Sequence, residues 1–353
     1  MTGKPLKILV AHLDSPSGGN PDLPLLYSAV RAAGDVIVEP FSTFALLRER
    51  WDVVHIYWPE WCIRRDRGTA VMAADAARIL TLLGSVRRRG TKVVWSLNNL
   101  RPHEVDGIGL VDGFLSAFTR LVDLVVCSSQ SLLDEFLQEY SALRRVESRI
   151  IRPGSYRGVY PDDDVSTAEA RTKLDLPADA RILLSLGMVR RYKNILPLIR
   201  SYRELDPPDD TYLLIAGETL DQRFARRVRD ECEGNESIRL DLRYIDDTEM
   251  QFYLRAADAM IVPASFASFS GSAMLALSFD CPVVVPHRGT FIEMRETLGP
   301  QWVRTFEGGV RGGVLRAAFD GRRPPGRPPL ERHYEWSISG REHLRAYREI
   351  AGV

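Results

Sequence analysis

Residues 262–286 read V-P-A-S-F-A-S-F-S-G-S-A-M-L-A-L-S-F-D-C-P-V-V-V-P, and this stretch decides the fold. It predicts the end of a strand, a turn of small residues, a short apolar helix and a second strand. The turn from Ser268 to Ser272 leaves backbone N–H groups unshielded where the helix begins. Such orphan donors, together with the positive end of the helix dipole, stabilise anions. We therefore expect a βαβ unit with a phosphate-binding turn.

The same alternation of buried strands and helices extends over the rest of the chain. In the first half, short β-branched runs predict parallel strands at 7–12, 36–39, 52–57, 92–97 and 124–128. In the second half, the pattern restarts and predicts strands at 181–187, 211–217, 238–244, 259–263 and 282–286. The fold class is therefore α/β, with two doubly wound parallel sheets in series.

The length of the chain and its proline-rich segment predict two domains. A chain of 353 residues exceeds the usual size of one domain. We place the first domain at 1–160 and the second at 168–330, with a stiff proline-rich tether at 322–329 and a helix at 336–353. Because open α/β sheets bind ligands beyond the carboxyl ends of their strands, two such domains predict a site in the cleft between them.

The charge balance argues against a nucleic-acid partner. Lys plus Arg and Asp plus Glu both total 47, so no net field attracts a polyanion. Local basic clusters occur at Arg64, Arg65 and Arg67 and at 87–89. Each is either a solvated helix end or a surface that meets anionic lipid or a pyrophosphate-bearing acceptor.

Cysteine spacing and the N-terminal sequence indicate the cellular compartment in which we expect the protein. The four cysteines show no metal-ligand spacing and three of them lie in apolar or strand-like contexts, so we interpret them as reduced core residues. The N-terminus has no long apolar region, and no apolar run approaches the about 20 residues of a membrane span. We expect a cytoplasmic protein, which still permits peripheral contact with the inner membrane face.

Cationic and small residues follow the predicted strands of the second domain. After 181–187 the chain reads M-V-R-R-Y-K-N, in which Gly187 permits close backbone approach and Arg190 and Lys193 are able to neutralise a diphosphate. The alternative is that Lys193 only marks a solvated helix start. The backbone around Tyr244 and Ile245 is a candidate contact for the edge of a nucleobase.

Strand ends in the first domain carry hydroxyl-binding and titratable residues. The loop from Asp14 to Asn20 either closes over a sugar or acceptor or is a plain connection. Trp58 either packs on a sugar face or covers the sheet. Asn98 and Asn99 follow a predicted strand and suit hydroxyl groups. His103 and Glu104 beside them are candidate acid–base groups, and His55 within a strand is interpreted as a core residue.

Five segments along the chain resemble the GT-B glycosyltransferases. The similarity is to bacterial family-4-like enzymes that build exopolysaccharides and related glycans, and it covers nearly the whole length. It rests on W-P-E at 58–60, W-S-L-N-N-L-R-P-H-E at 95–104, P-G-S-Y-R-G-V-Y-P at 153–161, G-M-V-R-R-Y-K-N at 187–194 and the run from Ser270 to Pro286. Their order and spacing together make the resemblance specific.

The resemblance implies a function and a division of labour. It implies two Rossmann-like domains facing a central cleft, the first binding the acceptor and the second a nucleotide-sugar, with the final helix returning to the first domain. The donor would be a UDP- or GDP-sugar bound as substrate, with no cofactor and no metal. By analogy, the donor diphosphate and sugar would be held by Arg190, Lys193, Gly187, Ser270, Gly271 and Ser272.

Two departures from the family pattern concern the donor and the strand-end asparagines. The family's paired glutamates would fall at Ser268 and Ala276, and its usual subgroup histidine at Asn98. The primary hypothesis is hexosyl transfer to a hydroxyl of a glycan, glycolipid or small molecule. A base would then be sought among Glu104, His103, Asp14 and His12. The alternatives are a nucleotide-sugar epimerase of the same fold and a non-catalytic binding subunit.

Overall fold

The computed structural model describes residues 4–13, 21–63, 68–98 and 108–353. They form two compact units. The first unit comprises the chain up to Gly154 together with Arg332–Val353, and the second comprises Ser155–Glu331. The C-terminal segment therefore belongs to the same unit as the N-terminal sheet.

The first unit is built on a six-stranded parallel sheet in the order β2-β1-β3-β4-β5-β6. Its strands are β1 Leu6–Val10, β2 Val36–Pro40, β3 Val53–Ile56, β4 Lys92–Leu97, β5 Leu124–Cys127 and β6 Glu147–Ile150. Its helices are α1 Asp22–Ala33, α2 Thr43–Arg48, α3 Thr69–Arg88, α4 Ile108–Phe118, α5 Gln130–Glu139 and α13 Trp336–Ala351. The strand order reverses between β1 and β3, so this is the switch point where ligands bind such sheets.

The second unit is built on another six-stranded parallel sheet, in the order β12-β11-β10-β7-β8-β9. Its strands are β7 Arg181–Leu186, β8 Thr211–Ala216, β9 Ile238–Asp241, β10 Ala259–Ile261, β11 Val283–Pro286 and β12 Val303–Phe306. Its helices are α6 Thr167–Lys173, α7 Ile195–Leu205, α8 Gln222–Cys232, α9 Met250–Ala256, α10 Gly271–Ser278, α11 Thr290–Leu298 and α12 Gly312–Asp320. In chain order the sheet reads 3-2-1-4-5-6, the Rossmann arrangement, with its switch point between β7 and β10.

The predicted fold class, two doubly wound parallel sheets, is confirmed. All ten predicted strands occur, several of them one to three residues shorter than expected. The prediction for 238–244 was too long, because β9 ends at Asp241 and leaves Tyr244 in a loop. Two edge strands, β6 and β12, were not predicted. Their sequences, E-S-R-I and V-R-T-F, mix charged with apolar residues because an edge strand is only partly covered.

Helix α3 is an exception to the expectation that no apolar run approaches the length of a membrane span. It is the one helix in the described ranges that is long and apolar enough to cross a membrane by length and composition. In the fold it is a core helix of the first unit, because Met72, Ile79 and Leu83 are buried in the apolar cluster beneath the sheet. It also carries Asp75, which is buried in the same unit.

Helix α13 completes the other face of the first sheet. It packs on α1 so closely that a Cβ on Gly340 would lie 2.5 Å from the backbone carbon of Ala29. Its Tyr347 hydroxyl lies 2.8 Å from Nδ1 of His55, and the Tyr27 hydroxyl of α1 contacts the same nitrogen. The C-terminal helix is thus joined to the centre of β3 through a buried hydrogen-bond network.

His55 is a satisfied core residue, as the sequence suggested. It is fully buried, and its Nε2 lies 2.8 Å from Ser96 Oγ. Burial, and secondarily the neighbouring His343, holds the pKa of His55 well below its ordinary value. Burial also lowers the pKa of His343 on α13 to about 4, although a hydrogen bond to the Ser339 carbonyl opposes the shift. Both imidazoles are therefore neutral in the folded state.

We predict that the first unit loses stability as the pH falls from about 6.5 to about 4. An unfolded histidine takes up a proton near pH 6.5, whereas folded His343 does so only near pH 4, so protons favour the unfolded chain in this window. Each such histidine contributes about 1.4 kcal/mol per pH unit to the slope. Urea unfolding at several pH values measures it. Tryptophan fluorescence is the signal, since Trp51, Trp58, Trp61, Trp95 and Trp336 all lie in this unit and only Trp302 lies in the other.

His343→Leu is the diagnostic variant for this pH dependence. It should reduce the slope by about half, because one of the two titrating groups is gone. At pH 8, where the histidines are neutral in both states, the stabilities of the variant and wild-type protein should differ little. Equal slopes for the two proteins would contradict the prediction.

Candidate functional site

The candidate site of the second unit lies at Gly187, directly after β7 at the carboxyl edge of the sheet. We call the space in front of Gly187 the mouth. Gly187 has a φ of 111°, a left-handed conformation that favours glycine. A Cβ at this position would lie 3.1 Å from Ser272 Oγ and 3.4 Å from Lys193 Nζ. The structure therefore brings together three residues that the sequence predicted from two separate loops.

Gly217 follows β8 and packs against the backbone of Gly187 at this mouth. Its φ is 139°, and a Cβ on it would lie 2.3 Å from the carbonyl oxygen of Gly187. The Gly187 amide also donates to the Ala216 carbonyl at 3.0 Å. The two glycine backbones thus lie closer together than a side chain on Gly217 would permit. From the sequence, Gly217 is recognised only as the end of a predicted strand. Its contact with Gly187 depends on the fold and is not evident from the sequence.

Lys193 reaches the mouth from a short turn, Arg191–Lys193, that precedes α7. The turn ends at Asn194, which has a left-handed φ of 58° and whose side-chain Nδ2 donates to the Pro263 carbonyl at 3.4 Å. Burial of the ammonium group, followed by the nearby Arg190, lowers the pKa of Lys193 to about 8. Within the described part of the chain, no carboxylate forms an ion pair with Lys193. Its charge is therefore available to an anion.

Helix α10 begins beside this ammonium group. Ser270 caps it by accepting a hydrogen bond from the Ala273 amide at 3.3 Å, and Gly271 is its first residue. A Cβ on Gly271 would lie 3.2 Å from the Tyr156 hydroxyl, a closer contact than most Cβ atoms make. The first amides of a helix have no partner within the helix, and the dipole adds positive potential there. Lys193, Ser272 and this helix start together offer an anion both charge and donors.

The two positions where the family's glutamates would fall are buried and small. Ser268 packs against Gly289, where a Cβ would lie 2.5 Å from Ser268 Cβ, and its carbonyl accepts from the Thr290 amide at 2.8 Å. Ala276 is fully buried within α10. Neither position presents a carboxylate.

The remaining residues predicted for the second domain differ in exposure. Arg190 is partly exposed, and its guanidinium lies 3.5 Å from Met188 Sδ. Arg191 is exposed and forms an ion pair with Asp221 at 2.7 Å, so its charge is already paired with a carboxylate. Tyr244 is half-exposed in the loop after β9, whereas the side chain of Ile245 is buried. Only the backbone of Ile245 is therefore available to a base.

The switch point of the first sheet is lined by aromatic rings. His12 follows β1, and its ring centroid lies 5.3 Å from that of Trp61, edge to face. Trp61 stacks on Trp58 with centroids 5.1 Å apart, and both tryptophans follow β3. Asn98 follows β4 and is partly exposed. The predicted contacts at Asp14, Asn20, Asn99, His103 and Glu104 lie outside the described residues.

The polar groups do not form a metal centre in the described ranges. No group of three or more His, Cys, Asp or Glu side chains is arranged to hold a metal ion there. The side chains of Cys127, Cys232 and Cys281 are buried, and burial raises the pKa values of Cys232 and Cys281 to about 11. Both thiols are therefore protonated core groups.

Comparison with known proteins adds the family. The family model described as "Glycosyl transferases group 1" matches residues 166–298. Over 343 residues the chain is 27% identical to the GDP-mannose:glycolipid 4-beta-D-mannosyltransferase of Xanthomonas campestris pv. campestris, covering 94% of this chain and 89% of that protein. The chain is a GT-B glycosyltransferase. The matched segment of the glycosyltransferase runs from α6 to the end of α11 and thus includes Gly187, Lys193 and the start of α10.

Solved structures agree on the fold of this glycosyltransferase. The Anabaena HepE protein, solved in complex with UDP and glucose, superposes with a TM-score of 0.64 at 13% identity, covering 98% of this chain and 97% of that one. Sucrose-phosphate synthase from Thermosynechococcus elongatus gives a TM-score of 0.62 at 17% identity, with coverages of 99% and 96%. The two sheets described above are those of the GT-B fold.

We predict that Gly217→Ala destabilises the second unit of the glycosyltransferase far more than Gly234→Ala. Both glycines have positive φ, so both substitutions carry a backbone strain of at least about 1 kcal/mol. A Cβ at Gly217 additionally overlaps the Gly187 carbonyl, whereas one at Gly234 meets nothing within 4 Å. Overpacking should add about 1–3 kcal/mol at Gly217, measured by urea unfolding. Equal losses in the two variants would show that the glycine contact does not matter.

Proposed function

We propose that this glycosyltransferase moves a hexosyl group from a nucleoside-diphosphate sugar to a hydroxyl of a lipid-linked glycan. The observation that carries the proposal is the convergence of Lys193 Nζ and Ser272 Oγ on Gly187 at the switch point of the second sheet. GDP-mannose is the first donor to test, because the relative that matches nearly the whole chain is named for GDP-mannose and a glycolipid. UDP-sugars are the second, since HepE was solved with UDP.

The proposed role of the mouth is to hold the diphosphate as it leaves. Departure of a nucleoside diphosphate concentrates negative charge on its terminal phosphate, and preorganised donors stabilise that charge best in a partly desolvated site. Lys193 is desolvated and has no carboxylate partner among the described residues. Its positive charge is therefore not neutralised within the protein. Arg190 and the first amides of α10 complete the proposed set, and no metal is required.

The proposed acceptor side is the switch point of the first sheet. Sugars present apolar C–H faces that pack on aromatic rings, and Trp58 and Trp61 provide two such rings. Trp61 is 46% exposed, so a glycan can reach it. Asn98 adds an amide that suits hydroxyl groups. Asp14, Asn20, Asn99, His103 and Glu104 stay predictions for the same role.

A cytoplasmic location with peripheral membrane contact fits a lipid-linked acceptor. Arg87 belongs to the basic cluster at the end of α3 and forms an ion pair with Asp123 at 2.6 Å. Arg88 and Arg89 are exposed and remain candidates for anionic lipid or pyrophosphate. Nucleic acid is not among the proposed partners, because the whole chain carries no net charge.

A donor panel tests the proposal. GDP-mannose, GDP-glucose, UDP-glucose and UDP-glucuronate are each incubated with the protein and octyl glycoside acceptors, with and without EDTA. We expect one donor to raise the melting temperature and to yield free nucleoside diphosphate and a glycosylated acceptor, to the same extent in EDTA. Epimerisation of the donor without transfer would support the epimerase alternative. Donor binding without any turnover would support the binding subunit.

We predict that Lys193→Ala weakens GDP binding by about 10- to 100-fold, the effect of losing one charge-assisted hydrogen bond. Arg191→Ala is the matched control, because it removes a cation from the same turn but one that pairs with Asp221. Its affinity for GDP should change by less than about threefold. Isothermal titration calorimetry measures both. An unchanged affinity in Lys193→Ala would refute the phosphate assignment.

We also predict that GDP affinity falls as the pH rises above about 8, the pKa of Lys193. The ammonium form binds the anion, so loss of its proton in the free protein competes with binding by up to about tenfold per pH unit. In Lys193→Arg the cation persists at high pH, and the decline between pH 8 and pH 9.5 should vanish. A decline of equal steepness in both proteins would locate the titration elsewhere.

A further inference from the structure

The segment through which the chain enters the second unit runs alongside helix α10. It reads P-G-S-Y-R-G-V-Y-P at 153–161, and the second unit begins at Ser155. The Tyr156 amide donates to the hydroxyl of Ser278, the last residue of α10, at 2.9 Å. The Tyr156 hydroxyl lies at the other end of the helix, 3.2 Å from the position of a Cβ on Gly271. One residue therefore spans α10 from its last residue to its first.

The position of the Tyr156 side chain is fixed by burial and packing. Only 4% of the residue is exposed, and its ring lies edge to face against Tyr160 with centroids 6.0 Å apart. The next residue, Arg157, forms an ion pair at 2.7 Å with Asp280, just beyond the end of α10. The backbone on this side of α10 is thus held at two points. The hydroxyl is therefore preorganised at the start of the helix, which lowers the entropic cost of using it to bind a ligand.

The start of α10 offers donors that the protein itself does not use. Among the described residues, the Gly271 and Ser272 amides donate to no acceptor. The Lys193 ammonium is buried and has no carboxylate partner within that part of the chain. It lies close to Ser272 Oγ, since both atoms are within 3.4 Å of the position of a Cβ on Gly187. Because buried donors are normally satisfied, this group of donors indicates an anion beside the Tyr156 hydroxyl.

We propose that the Tyr156 hydroxyl is a further donor-binding group, which donates a hydrogen bond to the terminal phosphate of the nucleoside diphosphate. This inference rests on the proposed function. A hydroxyl is able to give its proton to a phosphate oxygen and at the same time accept a bond from another group. Because the phosphate oxygen is charged, such a bond is stronger than one between neutral groups. The diphosphate is then held from three segments: the entry segment, the Arg191–Lys193 turn and the start of α10.

Tyr156→Phe removes the hydroxyl and keeps both the buried ring and the hydrogen bond from the backbone amide to Ser278. We expect it to weaken binding of GDP or UDP, whichever the wild-type chain binds, by about tenfold. Binding of the corresponding monophosphate, which lacks the terminal phosphate, should change by less than about twofold. Tyr160→Phe is the matched control, because it removes the same atom from the neighbouring ring, and both affinities should stay at the wild-type value. Isothermal titration calorimetry measures all four.

Gly271→Ala tests the same juxtaposition from the helix. The Tyr156 hydroxyl is the one described atom within 4 Å of the added Cβ, and at 3.2 Å it must give way by a few tenths of an ångström. We expect diphosphate binding to weaken about three- to tenfold in the wild-type background. In the Tyr156→Phe background the crowded atom is absent, so the further loss should be less than about twofold. Equal losses in the two backgrounds would contradict the inference.

The outcomes separate this inference from the proposed function. A folded Tyr156→Phe variant that binds the diphosphate within about twofold of wild type overturns the inference. Equal weakening of diphosphate and monophosphate binding overturns it too, because the ring position rather than a phosphate contact would then have changed. If Tyr156→Phe did not fold, an unchanged diphosphate affinity in Gly271→Ala would still overturn it. If the wild-type chain bound neither GDP nor UDP, the proposed function itself would fail.

Discussion

The contact between the backbones of Gly187 and Gly217 is the constraint on which the second unit's site depends. Because Gly217 has no Cβ, its backbone approaches the Gly187 carbonyl within a distance that a side chain at position 217 would prevent. The space in front of Gly187 is then small enough for Ser272 Oγ and Lys193 Nζ to reach the same point. A parallel sheet brings loops from distant parts of the chain to one edge, and here the glycines decide how closely those loops converge.

The central strands were predictable because both of their faces are buried. Lys92–Leu97, for example, is a continuous apolar run that needs no tertiary information to be assigned. The edge strands β6 and β12 were missed, since their exposure permits charged residues that resemble a loop. The types of residue in the donor site followed from the sequence, but their convergence did not. The approach of the Tyr156 hydroxyl to Gly271 was not predictable either, because it joins two segments that lie far apart in the sequence.

The two units use the same architecture for different chemistry. At the switch point of the second sheet the side chains are small or cationic, which suits an anion. At the switch point of the first sheet they are aromatic, with one neutral imidazole, which suits the apolar face and the hydroxyl of a sugar. The functional difference between the units thus comes from a few residues after β1, β3, β7 and β10, and the sheets themselves contribute position.

Helix α13 has a consequence for the order in which the protein is made. Its Leu344 and Tyr347 belong to the apolar core that covers Ile8 and Val10, so part of one face of the N-terminal sheet stays uncovered until α13 has been made. The second unit ends at Glu331 and has all its strands by then. Domains usually fold in the order in which the ribosome delivers them. In this chain the unit whose sheet is translated first cannot complete its core until α13 has been made, after all the strands of the second unit.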